Sequence, residues 1–243
     1  MAATKADIIA QLQKDIFPLQ GFKSKLNTAA MNVLPLEINN AFPHARFPAG
    51  AIHEFFYAAA EHAAATTGFV SGILAFLMQN GGACIWLSPF KMIFPPALKF
   101  FGISPDKIIF IDLKKEKEIL WAMEEALKCN GLSAVIGVMP ELSFTASRRL
   151  QLAVEQSQVT GFILRHNPRN MNTTACVTRW KITPLPSELP ANMPGVGFPR
   201  WNVELLKVRN GKPGKWQVEF AAGRYRHISR IAAIVPGQQR KTG

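Results

Sequence analysis

Two hydrophobic rhythms take turns along this chain from residue 47 onward: short apolar runs of strand length, and longer stretches in which apolar residues recur every three or four positions. The runs 51–57, 83–87, 107–112, 133–139, 161–165 and 176–182 predict strands. Between them, 66–79, 95–101, 115–129 and 145–158 predict helices. In one of these, Ile119, Met123 and Leu127 stack at i+4 intervals; in another, Ala146, Leu150 and Ala153 form the buried face. Asn80-Gly81-Gly82, Gly102 and Gly131 punctuate the pattern where helices end. Alternation of this kind predicts an α/β fold with a mostly parallel sheet flanked by helices on both faces.

The rhythm changes towards the C-terminus. A proline-rich connection (Pro184, Pro186, Pro190, Pro194, Pro199) leads to 200–208 and 215–220, a hairpin turning about Asn210-Gly211, with Trp216, Val218 and Phe220 alternating against Gln217 and Glu219. Upstream, Ile8, Ile9, Leu12 and Ile16 have helical spacing over 6–19. The organisation that follows is an N-terminal helical arm and linker at 1–45, a core domain at 46–222 and a basic C-terminal tail at 223–243.

Composition narrows the classes. With 48% apolar and 18% charged residues the chain reads as globular. No uninterrupted apolar run reaches the roughly 18 to 20 residues of a membrane span, and the polar start does not resemble a secretory signal, so the expected address is cytoplasmic. A net charge of +12 and a pI near 9.9 favour polyanionic partners, nucleic acid first, because a basic surface binds phosphates by releasing their counterions. Cys84, Cys129 and Cys176 are odd in number and widely spaced in apolar segments, which reads as reduced core thiols. His44, His53, His62, His166 and His227 show no metal-ligand spacing and read as surface or cap residues. His53-Glu54-Phe-Phe-Tyr57 begins like H-E-x-x-H but ends on tyrosine, so the two-histidine face is missing.

The chemistry that should fill the junction between the first strand and its helix is absent. A strand–loop–helix unit that binds nucleotide needs G-x-x-x-x-G-K-[ST], whose backbone N–H groups cradle phosphates while the lysine neutralises them and the hydroxyl holds magnesium. This chain supplies Ala58-Ala-Ala-Glu-His-Ala-Ala-Ala65. Ala58, Glu61, Ala64, Ala65 and Thr66 stand at the degenerate positions, with Glu61 placing negative charge where phosphate would sit. Neither a nucleotide cofactor nor a metal is expected, and ATPase activity is not expected.

Phe47-Pro-Ala-Gly-Ala-Ile-His-Glu54, Pro96-Ala-Leu-Lys-Phe-Phe-Gly-Ile-Ser-Pro-Asp-Lys-Ile-Ile-Phe110, Glu118-Ile-Leu-Trp-Ala-Met-Glu-Glu-Ala-Leu-Lys-Cys129 and Leu142-Ser-Phe-Thr-Ala-Ser-Arg-Arg-Leu-Gln-Leu152, with Thr178-Arg-Trp180 and Pro199-Arg-Trp201, resemble the RecA-like core and, within it, the ImuA family. The resemblance runs from about 47 to 220. It implies an accessory protein of bacterial mutagenic translesion synthesis, working beside ImuB, a polymerase-like partner of the Y family, and an error-prone replicative polymerase, with RecA and template DNA as further contacts.

Against the RecA pattern the catalytic strand ends are also empty. Leu87-Ser-Pro-Phe90 stands where an activating glutamate falls, Val138-Met139-Pro140 where a metal-holding aspartate falls, and Leu164-Arg165-His166 where a switch glutamine falls; Glu141 is the only acid nearby. The two loops that touch DNA in RecA-like proteins are reduced to 140–144 and 166–174. Arg165 and Arg169 in the second, Arg148 and Arg149 on the helix 145–158, and Arg224, Arg226 and Arg230 in the tail are the candidates for weak, sequence-independent DNA or partner contact. The expectation is an adaptor without catalysis; an ATPase recombinase with an unusual loop and a SulA-like inhibitor of protein assembly are the alternatives.

Overall fold

The computed structural model describes residues 33–79, 81–91, 93–166, 168, 171–189 and 195–228. The helix expected at 6–19, together with Arg169 and Arg230, lies outside them. Chain order is α1 (Leu36–Asn39), β1 (Ile52–Tyr57), α2 (Ala60–Leu77), β2 (Ala83–Ser88), a 3-10 helix (Pro95–Phe101), β3 (Ile108–Asp112), α3 (Glu116–Leu127), β4 (Leu132–Val138), α4 (Phe144–Ser157), β5 (Thr160–His166), β6 (Thr178–Leu185), β7 (Arg200–Val208), β8 (Gly214–Ala221) and β9 (Arg224–His227).

All nine strands form one sheet in the order β3-β2-β4-β5-β1-β6-β7-β8-β9. The first six pair in parallel and the last four antiparallel, β6 belonging to both halves. The mostly parallel sheet flanked by helices is therefore as the sequence predicts. One face carries Phe55, Phe162, Trp180, Trp201 and Phe220 into a core shared with α2. The opposite face packs Ile52, Val135 and Ile163 against α3 and α4. Ile119, Met123 and Leu127 are buried, as are Leu150 and Ala153, while Ala146 is partly buried. Ser143 starts α4 by accepting a hydrogen bond from the Ala146 N–H, which satisfies one of the free donors of the first turn.

Three expectations move. First, α2 starts at Ala60, six residues before the expected Thr66, because alanine is the strongest helix former and the run offers nothing to stop it. Only Ala58 and Ala59 separate the end of β1 from the helix.

Second, Arg224–His227, read as part of a tail, is an edge strand. Tyr225 points inward and its hydroxyl donates to the Phe69 carbonyl, passing Gly72 where any Cβ would overlap it; Gly68 likewise lets Trp201 approach. Third, Val33, Leu34, Ile38, Phe42 and Phe47, assigned to or bordering a linker, join the main core.

Two residue readings are corrected as well. His53 is fully buried rather than a surface or cap residue. Its Nε2 lies 3.1 Å from the Pro48 carbonyl and its Nδ1 2.7 Å from Thr178 Oγ1, which in turn accepts from Trp180 Nε1 at 2.6 Å. Burial lowers the imidazole pKa to about 3, against a smaller raising effect of the Pro48 bond, so the ring is neutral, with Nε2–H donating and Nδ1 accepting. Cys84 and Cys176 are buried thiols, whereas Cys129, at the exposed C-terminal end of α3, is not a core residue.

Candidate functional site

The carboxyl ends of the parallel strands, where open α/β sheets bind ligands, open onto a cleft of about 890 Å³. One wall is the first two turns of α2, with Ala60, Ala63 and Ala64; another is the aromatic group Phe90, Phe94 and Phe101 from the segment after β2; Trp201 and Tyr57 close the floor. Phe94 is 72% exposed and Phe90 47%. Apolar surface of that extent around a concavity makes the cleft the candidate interaction site.

A phosphate loop leaves its N–H groups free and curled around the ligand; here the positions from Ala60 to Ala65 are helical. Glu61 occupies the first turn, where its carboxylate complements the positive end of the helix dipole and takes the electrostatic place of a bound anion. Thr66, at the hydroxyl position, is fully buried, and its Oγ1 has no hydrogen-bond partner among the described residues. Glu61, Ala64 and Ala65 thus lie in a helix wall and not a cradle, with Ala58 in the short connection before it.

The other RecA-like positions are occupied by packing. Met139 is buried at the end of β4, and Ser88 closes a tight turn onto Phe90. Among the described residues no three His, Cys, Asp or Glu side chains are grouped to hold a metal ion.

Behind the cleft, the two shortened loops are tied down by a charged cluster that sequence reasoning did not assemble. Glu54, fully buried on β1, accepts from Arg165 Nη1 at 2.7 Å, Arg179 Nε at 2.9 Å and Thr174 Oγ1 at 2.9 Å. Arg165 also donates to the Pro140 carbonyl at 3.1 Å, to Asn172 Oδ1 at 3.1 Å and to Glu141 Oε2 at 3.1 Å. Asn172 Nδ2 reaches the Leu142 carbonyl at 2.7 Å, and Arg179 Nη2 reaches the Asn172 carbonyl at 2.7 Å. Phe56 lies beneath both guanidinium groups, 5.0 and 5.1 Å from its ring centre.

Arg165 is therefore not a solvent-facing contact for DNA: its guanidinium is fully buried and pins the loops at 140–144 and 171–174 together. The sequence signal for this cluster was a charged residue at an inward position of an otherwise apolar strand, Glu54 between His53 and Phe55 and Arg179 beside Trp180.

The remaining candidates are scattered. Arg148 is exposed on α4; Arg149 next to it pairs with Glu124 of α3 at 2.6 Å and is 64% exposed, an arrangement of small energetic weight. Arg224 and Arg226 lie on β9 with exposed side chains, at the far end of the sheet from α4.

Comparison with known proteins places this arrangement. A solved structure of the RadB recombinase aligns with a TM-score of 0.50 at 11% sequence identity, covering 74% of this chain and 92% of that one. The molecule is a RecA-like α/β protein. The family model of the cell division inhibitor SulA matches residues 50–161, and SulA of Photorhabdus laumondii is 32% identical over 110 residues, 44% of this chain and 62% of that protein. Protein ImuA of Caulobacter vibrioides (strain NA1000 / CB15N) is 33% identical over 209 residues, 81% of this chain and 86% of that protein. The chain belongs to the ImuA family.

Proposed function

We propose that this protein acts in DNA-damage-induced mutagenesis as a RecA-like accessory that docks partners and does not turn over nucleotide. The observation that supports this reading is the replacement of the phosphate cradle by an alanine-walled helix beside an apolar cleft. Triphosphate at this place would meet Glu61 and alanine methyl groups, with neither glycine N–H groups nor a lysine among 58–65 to hold it; of the cations that line the cleft from elsewhere, Lys91 and Arg200, the second is already paired with Glu188 and Glu219. An apolar segment of a partner would instead bury Phe90, Phe94 and the alanine wall, and aromatic anchors of this kind dominate protein interfaces.

The partners that family membership suggests are the ImuB-like polymerase-like protein, an error-prone replicative polymerase and RecA. In this reading the cleft recruits the first of them.

Calorimetric titration with Mg-ATP should give no heat at micromolar protein, and a pull-down with the ImuB-like protein should retain it, with loss on Phe94→Glu. Micromolar ATP binding would turn the reading towards an active recombinase, and retention unaffected by Phe94→Glu would remove the cleft from the docking role.

A further inference from the structure

Strands β6 to β9 are covered by α2 on one face; on the other, α3 and α4 sit over the parallel strands, and among the described residues no helix lies over the antiparallel half. Strand alternation puts a defined set of side chains on that bare face. Lys181, Glu204 and Lys215 form one row across three strands. Thr183, Asn202 and Gln217 form the next, and Arg200, Glu219 and Arg226 the third, with Arg224 beyond it opposite Ala221.

Carboxylates on this face are outnumbered and already engaged. Glu204 lies 3.3 Å from Lys215 and faces Lys181 on its other side. Glu219 binds Arg200 at 2.8 Å, and Glu188 reaches in to the same arginine at 2.6 Å. Lys181, Arg224 and Arg226 are exposed and have no ion-pair partner among the described residues. The rows therefore leave an excess of positive charge spread over four strands, a width of about 14 Å at the usual strand spacing of about 4.8 Å.

We infer that this bare face binds the phosphate backbone of nucleic acid, independently of sequence. Its composition is that of a phosphate-contacting surface: lysine and arginine around a central row of threonine, asparagine and glutamine, all of which donate to phosphate oxygens. A protein partner is the poorer fit, because protein interfaces are anchored on buried aromatic or aliphatic centres and the centre of this face is amide and hydroxyl. No aromatic side chain lies in these rows to stack on unpaired bases, so single strands and duplexes bind through the same backbone contacts. Arg200 of the third row also lines the cleft, so the two sites adjoin there, and the substitutions below spare every residue that lines the cleft.

The test is fluorescence anisotropy of a labelled random-sequence duplex with the full-length protein, titrated across salt. Contacts from Lys181, Arg224 and Arg226 alone give a slope of log K against log salt of about −2.7, hence a fall of roughly 40-fold in affinity from 50 to 200 mM. Lys181→Gln with Arg226→Gln should flatten the slope by about 1.8, since each lost phosphate contact removes about 0.9, while thermal melting stays unchanged. Arg148→Gln with Arg149→Gln, on the distant helix α4, should leave the slope as it is. The inference is overturned by absence of binding at 50 mM salt, by an unchanged slope in the Lys181/Arg226 variant, or by loss in the α4 variant alone. Binding of polyglutamate without binding of DNA would also overturn it and would assign the face to an acidic protein. Failure here leaves retention of the ImuB-like protein at the cleft unaffected, so the two results are distinguishable.

Discussion

Glu54→Gln isolates the cluster that holds the loops. The substitution keeps side-chain volume but exchanges an anion, shared by Arg165, Arg179 and Thr174, for an amide whose NH2 must face a guanidinium. Arg165 is fully buried and would keep Glu141, itself 41% exposed, as its nearest compensating charge. Breaking a buried pair from one side costs about 3–5 kcal/mol, because the remaining charge is left without full compensation. For a domain whose whole stability is about 5–15 kcal/mol that is a large fraction.

At about 2–4 °C per kcal/mol for a chain of this size, the melting temperature should fall by roughly 6–20 °C. Glu141→Gln, which removes a half-exposed partner, should cost no more than about 1 kcal/mol. Urea unfolding followed by tryptophan fluorescence reads both, with the slope unchanged if the loss is of native-state energy alone. A Glu54→Gln variant within 1 kcal/mol of the parent, or one matched by Glu141→Gln, would show that the cluster does not hold the loops as described.

Other outcomes follow from the core. His53 is neutral in the fold with a pKa of about 3 against 6.5 in the unfolded chain, so the unfolded state binds the extra proton; stability is complete above pH 6.5 and falls by about 1.4 kcal/mol per pH unit below it until about pH 3. Urea midpoints at pH 7.5, 6 and 5 for the parent and for His53→Asn check this, the variant losing that share of the slope; equal slopes would refute it. Gly72→Ala, although it favours helix by about 1 kcal/mol, should destabilise by about 1–3 kcal/mol and speed amide exchange in β9, because the new methyl overlaps Tyr225 and crowds Phe220. A Gly72→Ala protein more stable than its parent would mean that Tyr225 is not seated as observed.

The parallel half of the sheet was readable because its strands are short apolar runs and its helices have a clean 3.6-residue period, as in Ile119, Met123 and Leu127. β9 escaped for the opposite reason. Arg224, Tyr225, Arg226 and His227 show one inward aromatic among charged residues, which composition reads as a solvated tail, and only the approach of Tyr225 past Gly72 reveals it as a strand. The sequence places the start of α2 too late because a strand followed by a helix suggests a connecting loop at 58–65, whereas local alanine propensity carries the helix back to Ala60. That 58–65 contain neither glycine nor lysine is a matter of residue identity and is read directly from the sequence. What stands in their place, an apolar cleft built with aromatics some thirty residues away, depends on tertiary contacts that no local pattern encodes.

Six of the eight residues at 58–65 are wound into α2, so this segment is a stretch of helix and not a loop open to reshaping. A working cradle would need two glycines, each weakening the helix by about 1 kcal/mol, a lysine introduced against an alanine and phenylalanine wall, and removal of Glu61. The glycine changes alone would weaken the helix, and the lysine alone would place a charge against an apolar wall. On the proposed reading, change at this place reshapes what the groove accepts more readily than it builds a phosphate site, as a ratchet whose pawl is a run of methyl groups.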